Sequence, residues 1–360
     1  MKKQLETAGK TVLFAAANSG NGFKSFYPQI FGDRTIVRRY LIKGGPGTGK
    51  STFMKRAADE AERAGLSVEY YRCSSDPASL DAVVIEGRTA FIDSTAPHCL
   101  ECELAGARDE IVDLGRFWDS EKLFASRAEI ETLTEAKSEA YRGAYRFLSA
   151  ALAIKRHNAE LIYRYVNREK MQKAAERIIG RIPRGKTYER RIGLREAIGM
   201  EGRVWVDTYE KTAKRLYTIK DDHGTGGLFL SLLATLALKN NNSIRVSFSP
   251  IDPDIPDALC FIESGDVFVV TEKDETLDGK AEDVINMKRF IKYGELVGES
   301  GRRIKREYKS NLRLYEGLLQ SAVDQLSLAG ECHFGLENIY KKCMDFEGLE
   351  IFTAEFLKKR

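Results

Sequence analysis

Long apolar runs are missing from this chain. The most apolar stretch, Leu228 to Leu238, is broken by Ser231 and Thr235. A segment of that length covers only about half of a bilayer core, so a buried helix is expected there and no membrane span. The opening residues Met1-Lys2-Lys3-Gln4-Leu5-Glu6 are not followed by an apolar core of signal-peptide length. Cysteine is scarce, with six in 360 residues. That is too sparse for a disulfide framework, and a reducing cytoplasmic setting is expected. Cys99 and Cys102 follow His98 in the spacing of half a zinc site. Structural zinc takes four ligands, no second CxxC exists and Cys332-His333 stands far along the chain, so zinc is not expected. A dominant charge is also absent: 57 basic residues face 53 acidic ones, for a net +4. A nucleic-acid partner is therefore not favoured, although a local basic cluster such as Arg302-Arg303-Ile304-Lys305-Arg306 is compatible with one.

What is present describes a folded protein. The chain is 43% hydrophobic and 31% charged, a balance that disfavours disorder. Its length suits two domains, each with its own core.

Gly44-Gly45-Pro46-Gly47-Thr48-Gly49-Lys50-Ser51 matches G-x-x-x-x-G-K-[ST] in full. Its context fits as well. Val37–Ile42 reads as a strand ending at the loop, and Ser51–Ala64 reads as an amphipathic helix leaving it. Glycines let backbone N–H groups approach phosphate oxygens, and the helix N-terminus adds positive potential. Lys50 is expected at the β- and γ-phosphates and Ser51 on magnesium. Thr52 is expected at the α-phosphate or as a helix cap. ATP with Mg2+ is the expected ligand.

An acidic partner should end a second apolar strand. Thr89-Ala90-Phe91-Ile92-Asp93 fits, with Asp93 holding magnesium. Glu86, after Ala82-Val83-Val84-Ile85, is the rival. Asp93 is favoured because the polar, turn-like Ser94-Thr95-Ala96-Pro97 follows it. Between loop and acid, Val68–Cys73 alternates as a strand does. Asp76 then falls near the carboxyl edge of the sheet, as a substrate or water contact or as an Asp-Pro turn starter.

The second half echoes the first. Ile42-Lys43 returns as Ile219-Lys220, and Gly47-Thr48-Gly49 as Gly224-Thr225-Gly226. Asp76-Pro77 returns as Asp252-Pro253, Asp81-Ala82 as Asp257-Ala258 and Phe91 as Phe268, all at an almost constant offset. The chemistry is lost in the echo. Gly227, Leu228 and Phe229 replace Lys50, Ser51 and Thr52; Asp221 and Asp222 replace Gly44 and Gly45; Val270 replaces Asp93. One nucleotide per chain is expected. A contribution from the second half to the first site, as an arginine finger makes, has Arg190, Arg191 and Arg203 as candidates, with surface salt bridges as the bland alternative.

Ser120–Ile179 is charged, alanine-rich and poor in glycine and proline, so two or three long helices are expected. Ala281–Leu328 reads similarly. Gly180–Lys186 breaks the pattern and sets the boundary between domains 1–183 and 188–360.

The blocks Gly22-Phe23-Lys24-Ser25-Phe26-Tyr27, Leu41–Ser51, Tyr71-Arg72-Cys73-Ser74-Ser75-Asp76 and Asp93-Ser94-Thr95-Ala96-Pro97-His98 resemble a family of bacterial ATP-binding proteins built as a tandem P-loop duplication. That family occurs mainly in spore-forming and related Gram-positive bacteria. The resemblance implies an α/β fold: two P-loop NTPase domains, each a parallel sheet flanked by helices, with long helical extensions. It also implies ATP as ligand and a role for His98 near the γ-phosphate. Family members often keep a working second loop, and this sequence departs there. The resemblance supplies no substrate. Three activities fit: an ATPase driving a conformational change, a kinase for a small molecule or nucleotide, and a nucleotide-dependent scaffold with little turnover. Asp76, Glu86 and His98 are the candidates for orienting water in an ATPase. No compact arginine-rich lid of the kind kinases use follows Asp93; Arg108 stands alone.

Overall fold

A computed structural model describes residues 2–97, 99–272 and 281–358. Short apolar runs bounded by turns make a six-stranded sheet in the first half. Its spatial order is Thr11–Phe14, Val68–Arg72, Leu80–Ile85, Thr89–Asp93, Arg38–Lys43, Asp109–Asp113. Arg38–Lys43 runs parallel to both neighbours, with Ile42 beside Asp93 and Lys43 beside Asp113. A buried ion pair ties that strand to the edge: Arg39 donates to Asp109 at 2.6 and 2.8 Å.

The expectation of a parallel sheet needs correction. The sheet is mixed, because Leu80–Ile85 runs antiparallel to both neighbours. Connection length is the cause. Glu86 and Gly87, at φ 52 and 62, turn the chain directly into Thr89, whereas a parallel return needs a crossover of about a dozen residues.

The second half forms a sheet of the same order and directions. Arg190–Ile192, Ile244–Phe248, Pro256–Phe261, Asp266–Thr271, Arg215–Lys220 and Ala281–Asn286 lie side by side. Only Pro256–Phe261 runs against its neighbours. The helical reading of Ala281–Leu328 is thereby corrected at its start. Ala281–Asn286 is an edge strand that satisfies the open edge of Arg215–Lys220, and the helix begins at Gly298. The two sheets meet at their first strands, where Phe14 and Leu194 exchange both backbone hydrogen bonds at 2.9 Å.

Ser120–Ile179 resolves into the helices Ser120–Ala125, Arg127–Tyr163 and Arg168–Ile179; the second half carries Gly298–Lys341 and Phe346–Lys358. The two long helices pack antiparallel. Leu133 lies on Gly335 and Gln325 on Gly143, and Asn311 Nδ2 donates to Asn158 Oδ1 at 2.9 Å. Buried alanines along the seam, including Ala140, Ala144, Ala322 and Ala329, let the helices approach closely.

Each extension covers the opposite half. Phe352 of the last helix stacks on Phe53 at 6.5 Å between centroids, Phe356 packs tilted against it at 5.6 Å, and Phe356 also meets Tyr40. Arg168–Ile179 packs on Gly226–Lys239. This is why Gly226–Lys239 tolerates so apolar a sequence: it lies between that cover and the strands Pro256–Phe261 and Asp266–Thr271, with Phe229, Leu230 and Leu233 buried. Among the described residues no helix is long and apolar enough to cross a membrane.

Candidate functional site

The strand Arg38–Lys43 delivers Gly44 to the carboxyl edge of the first sheet. The helix Lys50–Arg63 leaves the loop with Gly49 as its N-cap, at φ 88, and no side chain caps its first N–H groups. Those donors and the helix dipole face the concave side of the loop. Thr48 Oγ1 closes the loop on the Gly45 carbonyl at 2.8 Å. Lys50 Nζ folds across it, donating to the Gly44 and Gly45 carbonyls at 3.1 and 2.7 Å. The same ammonium lies 3.7 Å from Asp93 Oδ2. Asp93 Oδ1 is occupied by Thr95, which donates from its N–H at 3.0 Å and its hydroxyl at 2.6 Å. The polar turn after Asp93 thus orients the carboxylate and aims one oxygen at Lys50.

Ser51 Oγ accepts from the Leu80 N–H at 3.1 Å. That contact brings in the Asp76 turn, where Asp76 accepts from the Ala78 N–H and from Ser79 Oγ at 3.1 and 2.7 Å. Asp76 is both the turn former and a carboxylate at the rim. Thr52 is exposed on the helix and is not the cap. Lys50, Ser51, Asp93 and the Asp76 turn are therefore brought together with Gly44, Gly45, Pro46, Gly47, Thr48 and Gly49. Glu86 is not. It sits in the hairpin at the opposite end of the Thr89–Asp93 strand, where its carboxylate accepts from the Ser67 N–H. His98 lies outside the described residues.

Sequence reasoning missed the walls of this site. Lys137, Tyr141 and Tyr145 stand at one-turn spacing and share a helix face. Tyr145 donates to Asn18 Oδ1 at 3.0 Å, and Asn18 Nδ2 donates to Ser75 Oγ at 3.1 Å. Burial raises the Tyr141 pKa, and the neighbouring Ser75 offsets that in part. Burial, offset in part by Cys332 and reinforced by Lys50, lowers the Lys137 ammonium below its ordinary value. On the outer side, a Cβ on Gly45 would meet the Tyr340 ring at 2.5 Å, and the Glu337 backbone abuts Gly47. Tyr340 in turn packs against Trp118, with centroids 6.0 Å apart. These residues lie far from the loop in sequence, on helices whose pattern reads as a solvated face. No local signal marks them.

The counterpart loop at Asp221–Gly226 holds its own anion. The Asp221 carboxylate accepts from the N–H groups of His223, Thr225 and Gly226 at 3.1, 3.0 and 2.7 Å. A carboxylate thus fills the backbone nest that a phosphate would need. Tyr163 roofs this loop through a 3.3 Å bond to the Gly224 carbonyl. Asp252, the echo of Asp76, is clamped by Arg156 at 2.9 and 2.7 Å.

The arginines considered as fingers are engaged elsewhere. Arg191 pairs with Glu189 at 2.7 Å. Arg203 pairs with Glu196 and Glu272 at 2.7 and 2.9 Å, and Arg190 stacks over Phe248. None of the family models, curated proteins or solved structures compared with the chain matches it.

Proposed function

We propose that the chain binds ATP with magnesium at Gly44–Thr52 and hydrolyses it to drive a conformational change. In this reading Lys50 neutralises the β- and γ-phosphates, Ser51 and Asp93 hold the metal, and Asp76 orients water. The observation that carries it is the convergence of Lys50, Ser51 and Asp93 at one strand end, in a loop with an uncapped helix N-terminus. The counterpart loop lacks all three and is filled by Asp221. We read the halves as a duplicated P-loop NTPase unit, cytoplasmic and akin to the tandem family that the sequence resembles, with the second copy as a structural partner. The conformational step follows from the Tyr340 and Glu337 wall of the loop. A nucleotide in the loop bears on Tyr340 and Glu337, which belong to the other half.

Phosphate release by purified protein with MgATP tests this, repeated with small-metabolite extract added. Release without extract supports hydrolysis. ADP formed only with extract makes the chain a kinase, and no turnover makes it a scaffold. Lys50→Ala should lower triphosphate affinity roughly a hundredfold, the equivalent of one or two charge-assisted bonds. Its fold should persist, because the Lys50 ammonium bonds the Gly44 and Gly45 carbonyls of its own loop and pairs with Asp93 at the rim of the same site. Unchanged binding in that variant would remove the site.

A further inference from the structure

We propose that Lys137, on the long helix of the first half, is a second phosphate-binding cation that contacts the terminal phosphate of the nucleotide held by Lys50. The inference rests on the proposed triphosphate site.

Three observations place it there. Tyr145, two turns further along the same face, is tied through Asn18 to Ser75 at the carboxyl edge of the sheet, and Tyr141, one turn along, lies beside the same Ser75. Their rings stack with centroids 6.1 Å apart, which sets both on one face of the helix. The preceding turn is also fixed: Leu133 seats on Gly335, two residues from the Glu337 backbone that abuts Gly47. Lys137 is caught between these anchors. It is half-buried, and among the described residues it has no hydrogen-bonded or ion-paired partner. Besides burial, the groups that act on it are Cys332 and the Lys50 ammonium, the latter disfavouring its charge.

Two half-buried ammonium groups facing one site repel each other. Asp93 offsets Lys50 in part, at 3.7 Å, and among the described residues no carboxylate pairs with Lys137. A flexible lysine stem ordinarily releases such a charge to water. The arrangement becomes favourable when a polyanion lies between the two cations, as the terminal phosphate of a loop-bound triphosphate would. A diphosphate ends short of that position. Lys137 would then act as fingers do in other phosphoryl-transfer sites, stabilising charge on the γ-oxygens. The fixed helix supplies it within the chain.

Calorimetric titration of the full chain with Mg2+ and either a non-hydrolysable ATP analogue or ADP tests this. Lys137→Ala should weaken the analogue about tenfold or more, the loss of one charge-assisted hydrogen bond. ADP affinity should stay within about twofold by the same scale, and Lys137→Arg should restore most of the analogue affinity. Lys50→Ala should weaken both ligands. Thermal unfolding reports the fold of each variant, and Lys137→Met, which keeps the apolar stem, is read in the same way should alanine disturb the helix. Equal weakening of both ligands in Lys137→Ala makes the residue structural and overturns the proposal. So does wild-type affinity for the analogue. A wild-type chain that binds neither ligand removes the nucleotide site itself, and this inference with it.

Discussion

The Asp221 carboxylate accepts the Gly226 N–H at 2.7 Å, so the second glycine loop is closed by its own side chain. In the first loop the position of Asp221 belongs to Gly44, and no side chain caps the helix that follows. Among the differences between the two loops, this one puts a carboxylate on the backbone N–H groups of the second. Asp221→Ala should strip three backbone donors of their acceptor and cost about 1–3 kcal/mol. It should also open the nest to inorganic phosphate. Thermal denaturation with and without phosphate checks both: the variant should melt lower and recover in phosphate, and the wild type should respond far less. A variant as stable as wild type, with no phosphate response, would mean that the carboxylate is not holding the loop.

The metal assignment separates Asp93 from Glu86. Asp93→Asn keeps the Thr95 contacts and the phosphate cradle but removes a charge beside Lys50. Turnover should fall roughly a hundredfold or more, and nucleotide affinity should change less than about tenfold. Glu86→Gln should leave turnover within about twofold, because its carboxylate serves a hairpin at the far end of the strand. Steady-state phosphate release and titration on both variants decide the matter. The reverse pattern would transfer the role to Glu86 and contradict the geometry.

These placements show what could be read in advance. The strand, loop and helix around Lys50 were legible because the motif is local: each residue's job follows from its neighbours. The direction of Leu80–Ile85 is also written locally, in the Glu86-Gly87 turn, which the strand-loop-helix pattern of a parallel sheet overrides. Asp221 was legible as an unwanted charge and not as an acceptor, because three converging N–H groups exist only once the loop is folded. Lys137, Glu337 and Tyr340 were illegible. A helix face that turns toward a site carries the same charged and aromatic residues as one that turns toward water, and the exchange of helical covers between halves is a property of packing alone.

Stability in acid should report the buried Glu196 cluster. Burial favours the protonated Glu196 carboxyl, but Arg203 and Lys2 outweigh it and hold the pKa down to about 2, from an ordinary 4.5. The contacts are a 2.7 Å bond from Arg203 and a 2.9 Å ion pair with Lys2. A folded pKa below the unfolded one means stability that is complete above about pH 4.5 and lost as pH falls toward 2. Glu196→Gln should be less stable than wild type at pH 7 by about 1–3 kcal/mol, and the gap should close across that acid window. Urea denaturation from pH 7 to pH 2 measures it. A gap that is constant with pH would show that the charge of Glu196 contributes nothing.

The exchanged covers make the two halves poor independent units. In the intact chain Phe53 and Tyr40 of the first half are sealed by Phe352 and Phe356, which the first half does not contain. Its own helix Arg168–Ile179 is seated on Gly226–Lys239, which it also lacks. Cutting after residue 183 therefore exposes both surfaces of each contact. Burial of each large apolar side chain is worth roughly 1.5–3 kcal/mol, and a domain's whole margin is only about 5–15 kcal/mol. Residues 1–183 alone should lack a cooperative thermal transition and should bind hydrophobic dyes. Co-expression with residues 188–360 should restore a soluble complex that unfolds cooperatively, because every cover then finds its seat. Far-UV circular dichroism, dye binding and co-purification follow the three preparations. Cooperative unfolding of 1–183 by itself, with nucleotide affinity equal to that of the full chain, would show that the first half does not depend on Phe346–Lys358 and would leave the second half without a structural claim on the site.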